Sequence, residues 1–561
     1  MKPNETGSRL LQGAFILSAA AIGSKLIGTL QKIPLQNLGG DAVFGIYNTV
    51  YPLYMMIITI AAAGFPAALS KYVAEYEAAG RWEESRRMLR VSTVTLVLFG
   101  LLLGMVMYFG APVIGTWIGD EHVVPALQSG AFALAFVPWM ALLRGYFQGL
   151  HNMVPTAVSQ IVEQCIRVAV MIVLLMYMIH SGAGVDQIAA GALFGSAAGG
   201  AAGLLVMAYY WRRESSSRSS MKSVQRGLDA SVINKEQHKP IGDLPEEREG
   251  YWRILQRLAV YAVPICLSAL AVPLIGLVDT FTVPRLLKDT GLPGEAVMAQ
   301  FGVYNRGLPL VQLVTMMATS LSVLFIPALA EAKFKGENSL VVSQCRLALR
   351  WFWLLGLAAS VGLASLATPI NIMLYQDAVG SDVLRWIAFT AVGGTVSIIS
   401  AALLQGIGIV RAPAIHLLAG AALKLGLNLL LVPKMGITGA AIAGVAAHFT
   451  AAALNVAVLA RSTGFRVSVK DLLVKPALIL AGLILAAWGA ASGASFIITA
   501  AGIASVRLNA AAASLAGVAA GGVAFLAGAV ITKLLTEEEL RMLPKVGNSL
   551  ATMLKKLRIL R

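Results

Sequence analysis

Long apolar runs separated by short polar stretches make up most of the chain. Most of these runs reach about 20 residues or more, the length a helix needs to cross the hydrocarbon of a bilayer. Apolar positions are continuous within them, with Ala, Leu and Gly predominant, so they lack the strict alternation of membrane strands. Lipid offers no hydrogen-bonding partner, and a helix satisfies its backbone within a single segment. The pattern predicts an all-α polytopic membrane protein of about fourteen transmembrane helices. The spans fall near 10–34, 44–68, 90–114, 123–147, 154–180, 185–211, 254–279, 299–327, 346–370, 383–409, 412–433, 437–460, 473–495 and 510–533. The stretch 490–510 fits the pattern least well.

Composition agrees. Of 561 residues, 57% are hydrophobic and 13% charged, where a soluble domain carries about 25% charged. The first span is too long for a cleaved signal peptide and carries Lys25, so it is expected to remain as a helix. Lys and Arg set the orientation, because cytoplasmic loops collect them. With the amino end inside, 34 of the 44 basic residues fall in the tails and inner loops, and four (Arg285, Lys288, Lys434 and Arg507) fall outside. Both termini are thus expected in the cytoplasm, with the protein in the cell membrane. The net charge of +16 is this same bias and calls for no nucleic acid partner.

The chain also repeats itself. FGIYNTVYP at 44–52 returns as FGVYNRGLP at 301–309, an offset of 257. QGL at 148–150 returns at the same offset as QGI at 405–407. Pro52 matches Pro309, whereas Pro66 matches Pro327 at an offset of 261, so the second copy has gained about one helical turn. Six spans per repeat is an even number, so the halves run parallel, related by an axis along the membrane normal. The expected organisation is a six-helix bundle over 1–211, a flexible cytoplasmic linker over 212–250, and a second six-helix bundle over 251–462. Two additional helices over 463–535 and a basic cytoplasmic tail over 536–561 follow. The linker is Ser-rich and charged. The tail can form an amphipathic helix on anionic lipid or remain solvated.

Six basic residues lie within or near the spans: Lys25, Lys32, Arg167, Arg306, Arg385 and Lys424. A charge at membrane depth is costly, so such residues line a cavity, pair, or snorkel to an interface. Lys32 and Arg385 can snorkel; Lys424 can snorkel or point into a cavity. Glu163 and Arg167, spaced i, i+4, form either a structural pair or a gating and ion-coupling element. Asp279 reads as an interfacial charge, with a cation site as the alternative. Asn48 and Asn305 read as helix-packing amides near a cavity.

At this point the chain resembles the multidrug/oligosaccharidyl-lipid/polysaccharide exporter (MOP) superfamily. Within it, the chain is similar to the polysaccharide-biosynthesis group that includes stage V sporulation protein B and the MurJ-type flippases. The resemblance rests on SKLIGTLQKIPL at 24–35, GFPAALSKYVAEY at 64–76, SQIVEQCIRV at 159–168 and YNRGLPLVQL at 304–313. It implies two facing bundles around a cavity lined with basic residues on the first and eighth helices. Lys25 stands at one such position, Arg306 at another, and Lys32 is a looser match. All three are therefore expected to bind substrate. The arginine of the second helix in that group has no counterpart here, where Leu53-Tyr54-Met55-Met56 is neutral. The last two spans resemble the pair that adds a groove for a lipid tail.

Enzymatic chemistry finds no support in the pattern. The six His and three Cys are scattered without metal-ligand spacing, and there is no Walker motif. No cofactor or metal is expected, and any driving force comes from ions, the membrane potential or the substrate gradient. A lipid-linked oligosaccharide with a pyrophosphate suits the basic residues, since Arg pairs bidentately with phosphate oxygens. The expected function is a flippase carrying a lipid-linked cell-wall glycan precursor, lipid II or a relative, to the outer leaflet. Partners would be the bilayer and cell-wall synthesis machinery, and a monomer suffices. The alternative is a MATE-type drug or cation antiporter, which would place acidic residues at depth, where this chain places mainly basic ones. A non-transporting scaffold for wall synthesis is the third reading.

Overall fold

The computed structural model describes residues 3–62, 64–228, 250–322, 325–465, 470–502, 505–532 and 534. The tail expected over 536–561 and residues 229–249 of the expected linker lie outside the described residues. The chain divides into two compact units, the first Met1–Lys288 with Leu292–Ala299, the second Asp289–Gly291 with Gln300–Arg561.

The first unit holds α1 (Pro3–Leu30), α2 (Lys32–Ala62), α3 (Phe65–Ala78), α4 (Trp82–Ile118), α5 (Val124–Ala131), α6 (Val137–Gly149), α7 (Val154–His180), α8 (Val185–Leu228) and α9 (Tyr251–Lys288). The unit division falls within α10 (Gly294–Asn305). The second unit continues with α11 (Leu308–Ser322), α12 (Phe325–Phe334), α13 (Asn338–Ser365), α14 (Ala367–Tyr375), α15 (Ser381–Ala388), α16 (Thr390–Gly406), α17 (Arg411–Met435), α18 (Ile437–Thr463), α19 (Lys475–Ala500) and α20 (Val506–Ile531).

The protein is a multi-pass membrane protein. Among the described residues, twelve helical stretches are long and apolar enough to cross a bilayer. One of them, Phe15–Ala78, takes in the second half of α1 and all of α2 and α3, and α9 adds a helix of 38 residues, so about fourteen crossings are compatible with these helices.

Each unit carries the repeat in its helix boundaries. α2 stops at Ala62 and α3 starts at Phe65, with Pro66 in its first turn; Pro327, the match of Pro66, lies in α12 of the second unit. Proline lacks the N–H that helix continuation needs and is tolerated in a first turn. α5 ends against Phe132 and α15 against Phe389, again 257 apart, so the fourth span of each half is broken at the same register. The QG echoes end helices too, α6 at Gly149 and α16 at Gly406. His151 and Gly408, also 257 apart, both take left-handed backbone just beyond, with φ of 57° and 86°. The packing partners match as well. Gly149 lies against Ser70 and Val73 of α3, and Gly406 against Ile326 and Leu329 of α12.

Three expectations change. α8 runs on through Leu228, so 212–228 is helix rather than linker: its RRESSSRSSMKSVQRGL is polar but meets no glycine before residue 227 and no proline. α9, assigned by the repeat to the second bundle, packs with α2, α3 and α4 of the first unit. The contact is close: Gly64 N–H donates to Cys266 Sγ at 3.2 Å, and Arg257 stacks 4.7 Å from the Tyr72 ring centroid. Finally, α19 extends to Ala500 and α20 begins at Val506, so most of 490–510 is helical. This appended pair packs on α13 and α14 within the second unit.

Candidate functional site

In the first unit, buried and part-buried polar side chains link into one chain of contacts. Glu163 on α7 accepts from Arg167 Nη2 at 2.5 Å, one turn along its own helix, and from Arg144 Nη2 on α6 at 2.9 Å. Arg144 also donates to Ser159 Oγ at 2.7 Å, and that hydroxyl donates to the Gly203 carbonyl of α8 at 3.0 Å. α6, α7 and α8 are thus joined at one node. On the other side, Arg167 donates to Gln164 Oε1, Gln164 to Gln31 Oε1, and Gln31 to the Tyr47 hydroxyl, at 3.3, 3.4 and 3.3 Å. Tyr47 stacks on Tyr51 with ring centroids 5.6 Å apart, and Lys32 Nζ sits 5.6 Å from the Tyr51 centroid.

This places two expected residues differently. Lys32 does not close the first helix: α1 ends at Leu30 and Lys32 opens α2, which bends at Gly40. It does not snorkel, since only 9% of it is exposed. Arg144, one of the 34 basic residues that the orientation count assigns to the tails and inner loops, lies on α6 and is a partner of Glu163. The only signal in the sequence is its setting among apolar residues in ALLRGYF. A carboxylate with guanidiniums on two sides anchors helices well and is a poor cation site, because both neighbours repel a cation. Lys25 stands apart from this chain of contacts, exposed on α1.

In the second unit, Arg306 occupies the two-residue break between α10 and α11 and is 1% exposed. It makes a bidentate pair with Asp377, Nη1 to Oδ1 at 2.6 Å and Nη2 to Oδ2 at 3.1 Å. Nη1 also donates to the Val379 carbonyl at 3.1 Å. Tyr375 braces the residue twice: its hydroxyl donates to the Arg306 carbonyl at 2.8 Å, and its ring centroid is 5.4 Å from the guanidinium carbon. Gly307 makes room for this: a Cβ there would stand 2.8 Å from Leu384 Cδ1 and 3.0 Å from Ile387 Cγ2 of α15. Asp377 lies in the loop between α14 and α15. Burial works to raise its carboxyl pKa, but hydrogen bonds from Arg306 and from the Val379 N–H outweigh that and hold it below the usual carboxylate value. Sequence spacing gave no hint of this partner, 71 residues away.

The repeat explains Arg306's neighbour. Asn305 Nδ2 donates to the Phe301 carbonyl at 2.7 Å, as Asn48 Nδ2 does to the Phe44 carbonyl at 2.8 Å. In the first copy Thr49 follows, bonded to the Gly45 carbonyl at 2.8 Å, and α2 continues unbroken. Elsewhere in the second unit, Lys424 on α17 is 3% exposed. Its Nζ lies 3.9 Å from where a Cβ on Gly444 of α18 would stand. It is buried rather than snorkelling. Arg385 is exposed and pairs with Asp382 at 2.5 Å. Asp279, expected at an interface, is 5% exposed. Among the described residues no group of three His, Cys, Asp or Glu side chains is placed to hold a metal ion.

Residues 10–232 match the family described as polysaccharide biosynthesis protein. The membrane protein YabM of Bacillus subtilis (strain 168) is 31% identical over 551 residues, covering 97% of this chain and 96% of the relative. The chain belongs to this polysaccharide-biosynthesis family. Two further relatives of that organism agree. The lipid II flippase MurJ is 27% identical over 82% of this chain and 84% of its own length. Stage V sporulation protein B is 24% identical over 82% of this chain and 85% of its own. In fold, the chain is similar to a solved MurJ in an inward closed conformation, with TM-score 0.62 and 14% identity over 93% of this chain and 99% of that one. An inward-facing multidrug resistance MATE family transporter gives 0.59, with 16% identity over 79% and 94%.

Proposed function

We propose that this family member is a lipid flippase of the cell membrane. It moves a polyprenyl-pyrophosphate-linked cell-wall glycan precursor, lipid II or a related lipid, from the inner to the outer leaflet by alternating access, with both termini cytoplasmic. The observation that carries this reading is the burial of basic side chains among apolar helices: Lys32 on α2, Arg306 in the break between α10 and α11, and Lys424 on α17. Such charges are retained at depth where an anion meets them, and a pyrophosphate is the anion that a lipid-linked glycan presents. MurJ, named a lipid II flippase, supports the choice of substrate class. Lys25, Lys32 and Arg306 are the proposed contacts for the headgroup. Glu163 and Arg167, with Lys424, Asn48 and Asn305, serve as scaffold and gate. The antiporter reading gains nothing from Glu163, whose carboxylate is taken by two guanidiniums.

The test is translocation of lipid II in cells depleted of their own flippases, scored with an impermeant probe of the outer leaflet. Wild-type protein is expected to restore flipping, and Lys32→Ala is expected to lose it at normal membrane level. A well-expressed wild type that moves no lipid II assigns a different lipid-linked glycan, and one that instead exchanges a cationic drug for an ion overturns the reading.

A further inference from the structure

Arg306 heads the fully buried side chains of the described residues, yet the carboxylate that holds it is 45% exposed. A buried guanidinium needs an anion, because an unpaired charge in a low-dielectric interior costs several kcal/mol. It does not need that anion at the surface, where water competes for it. The loop that supplies the carboxylate is short and bent: Gln376 and Gly380 on either side of it take φ of 74° and 80°. Left-handed backbone is uncommon for a glutamine. The Val379 N–H closes back on Asp377 Oδ1 at 2.8 Å.

The guanidinium is oriented by more than its partner. The Val379 carbonyl takes Nη1, and that carbonyl is itself fixed by Asn371 Nδ2 at 2.7 Å. The Tyr375 ring lies beside the guanidinium and the Tyr375 hydroxyl holds the Arg306 backbone. What Asp377 adds is two parallel bonds to a pair of oxygens. A phosphate receives an arginine in this same way.

We propose that Asp377 is a built-in stand-in occupying an anion site on Arg306, and that the pyrophosphate of the substrate displaces it. This rests on the flippase reading above. The carboxylate leaves towards solvent, and the guanidinium passes from one anion to another without standing unpaired. Between substrates the tethered carboxylate competes with small anions from solution, as an intramolecular partner at high effective concentration does. A small anion such as inorganic pyrophosphate therefore displaces it only at high concentration, and a ligand that also gains binding energy from its lipid or sugar parts does so at a lower one.

Two measurements on the full-length protein in lipid nanodiscs test this, with inorganic pyrophosphate as the probe. In the first, Asp377→Asn is expected to bind pyrophosphate at least about tenfold more tightly than wild type, since the competitor is gone. Asp377→Asn with Arg306→Gln is expected to lose the gain. Equal binding by wild type and Asp377→Asn, or a gain that survives without Arg306, overturns the proposal. The second needs no variant. Carbodiimide labelling of Asp377, read by peptide mass spectrometry, is expected to rise severalfold when pyrophosphate is added to wild type, and labelling that does not change overturns it. Neither readout depends on transport. Lipid II flipping by wild type alongside unchanged labelling would sink the exchange and leave the flippase reading standing.

Discussion

Arg144 and Glu163 come from different helices and meet at 2.9 Å, with Arg167 on the other side of the same carboxylate. The carboxylate is shared by two guanidiniums that are each only 13% exposed. Removing its charge leaves both without a counter-ion, and breaking such a buried pair costs about 3 kcal/mol or more. Glu163→Gln is therefore expected to lower the thermal midpoint sharply. Adding Arg144→Gln to it should recover part of the loss, because one orphaned charge disappears. A double variant less stable than both singles combined would argue against a shared node.

The Lys32–Tyr51 contact makes a finer prediction. A cation over an aromatic face is worth about 0.5–2 kcal/mol depending on desolvation. Tyr51→Phe keeps the face and should be nearly neutral, whereas Tyr51→Leu should lose about 1 kcal/mol. If Lys32 binds the substrate headgroup, Tyr51→Leu also weakens flipping more than Tyr51→Phe does. Thermal melts paired with the translocation assay separate the two effects.

Acid should weaken the Arg306–Asp377 pair in a defined direction. The folded carboxyl titrates below its unfolded value, so its stabilisation is fully present above the unfolded value of about 3.9 and disappears as pH falls through the lower, folded one. The thermal midpoint is expected to hold steady near neutral pH and to drop only in strong acid. In Asp377→Asn that final drop should be smaller. An equal drop in both proteins would place the acid-sensitive group elsewhere.

Gly145 and Gly110 form a controlled comparison. A Cβ on Gly145 would stand 2.4 Å from the Pro66 carbonyl oxygen and 2.7 Å from its Cα, both backbone atoms of α3 that cannot rotate away. A Cβ on Gly110 would meet nothing within 4 Å. Gly145→Ala is expected to cost about 1–3 kcal/mol through overpacking. Gly110→Ala should be neutral or stabilising by up to about 1 kcal/mol, as alanine replaces glycine inside a helix. Reversal of that order in thermal melts would refute the close approach of α3 and α6.

Much of the fold was legible because bilayer thickness sets helix length and leaves its mark on the sequence. The runs, the repeat and the proline-led restart at Phe65 all have local signatures. The breaks at Phe132 and Phe389 do not, since apolar residues continue on both sides and only register with the other half reveals them. The placement of α9 was illegible for a different reason. Its membership depends on the close approach at Gly64, a tertiary contact that no period records. At the candidate site, the i, i+4 pair of Glu163 and Arg167 could be read from spacing. Arg144 and Asp377 could not, because they arrive from other helices and a loop.

The shared and unshared features of the two halves also carry a chronology. The broken fourth span, the QG terminus and the left-handed residue after it recur 257 positions apart, so they were present in the ancestral half before the gene doubled. Thr49 and Arg306 differ at the next matched position, and with them an unbroken helix and a broken one. The scaffold is therefore the older inheritance. The divergence at Thr49 and Arg306 came later, once two copies were free to specialise.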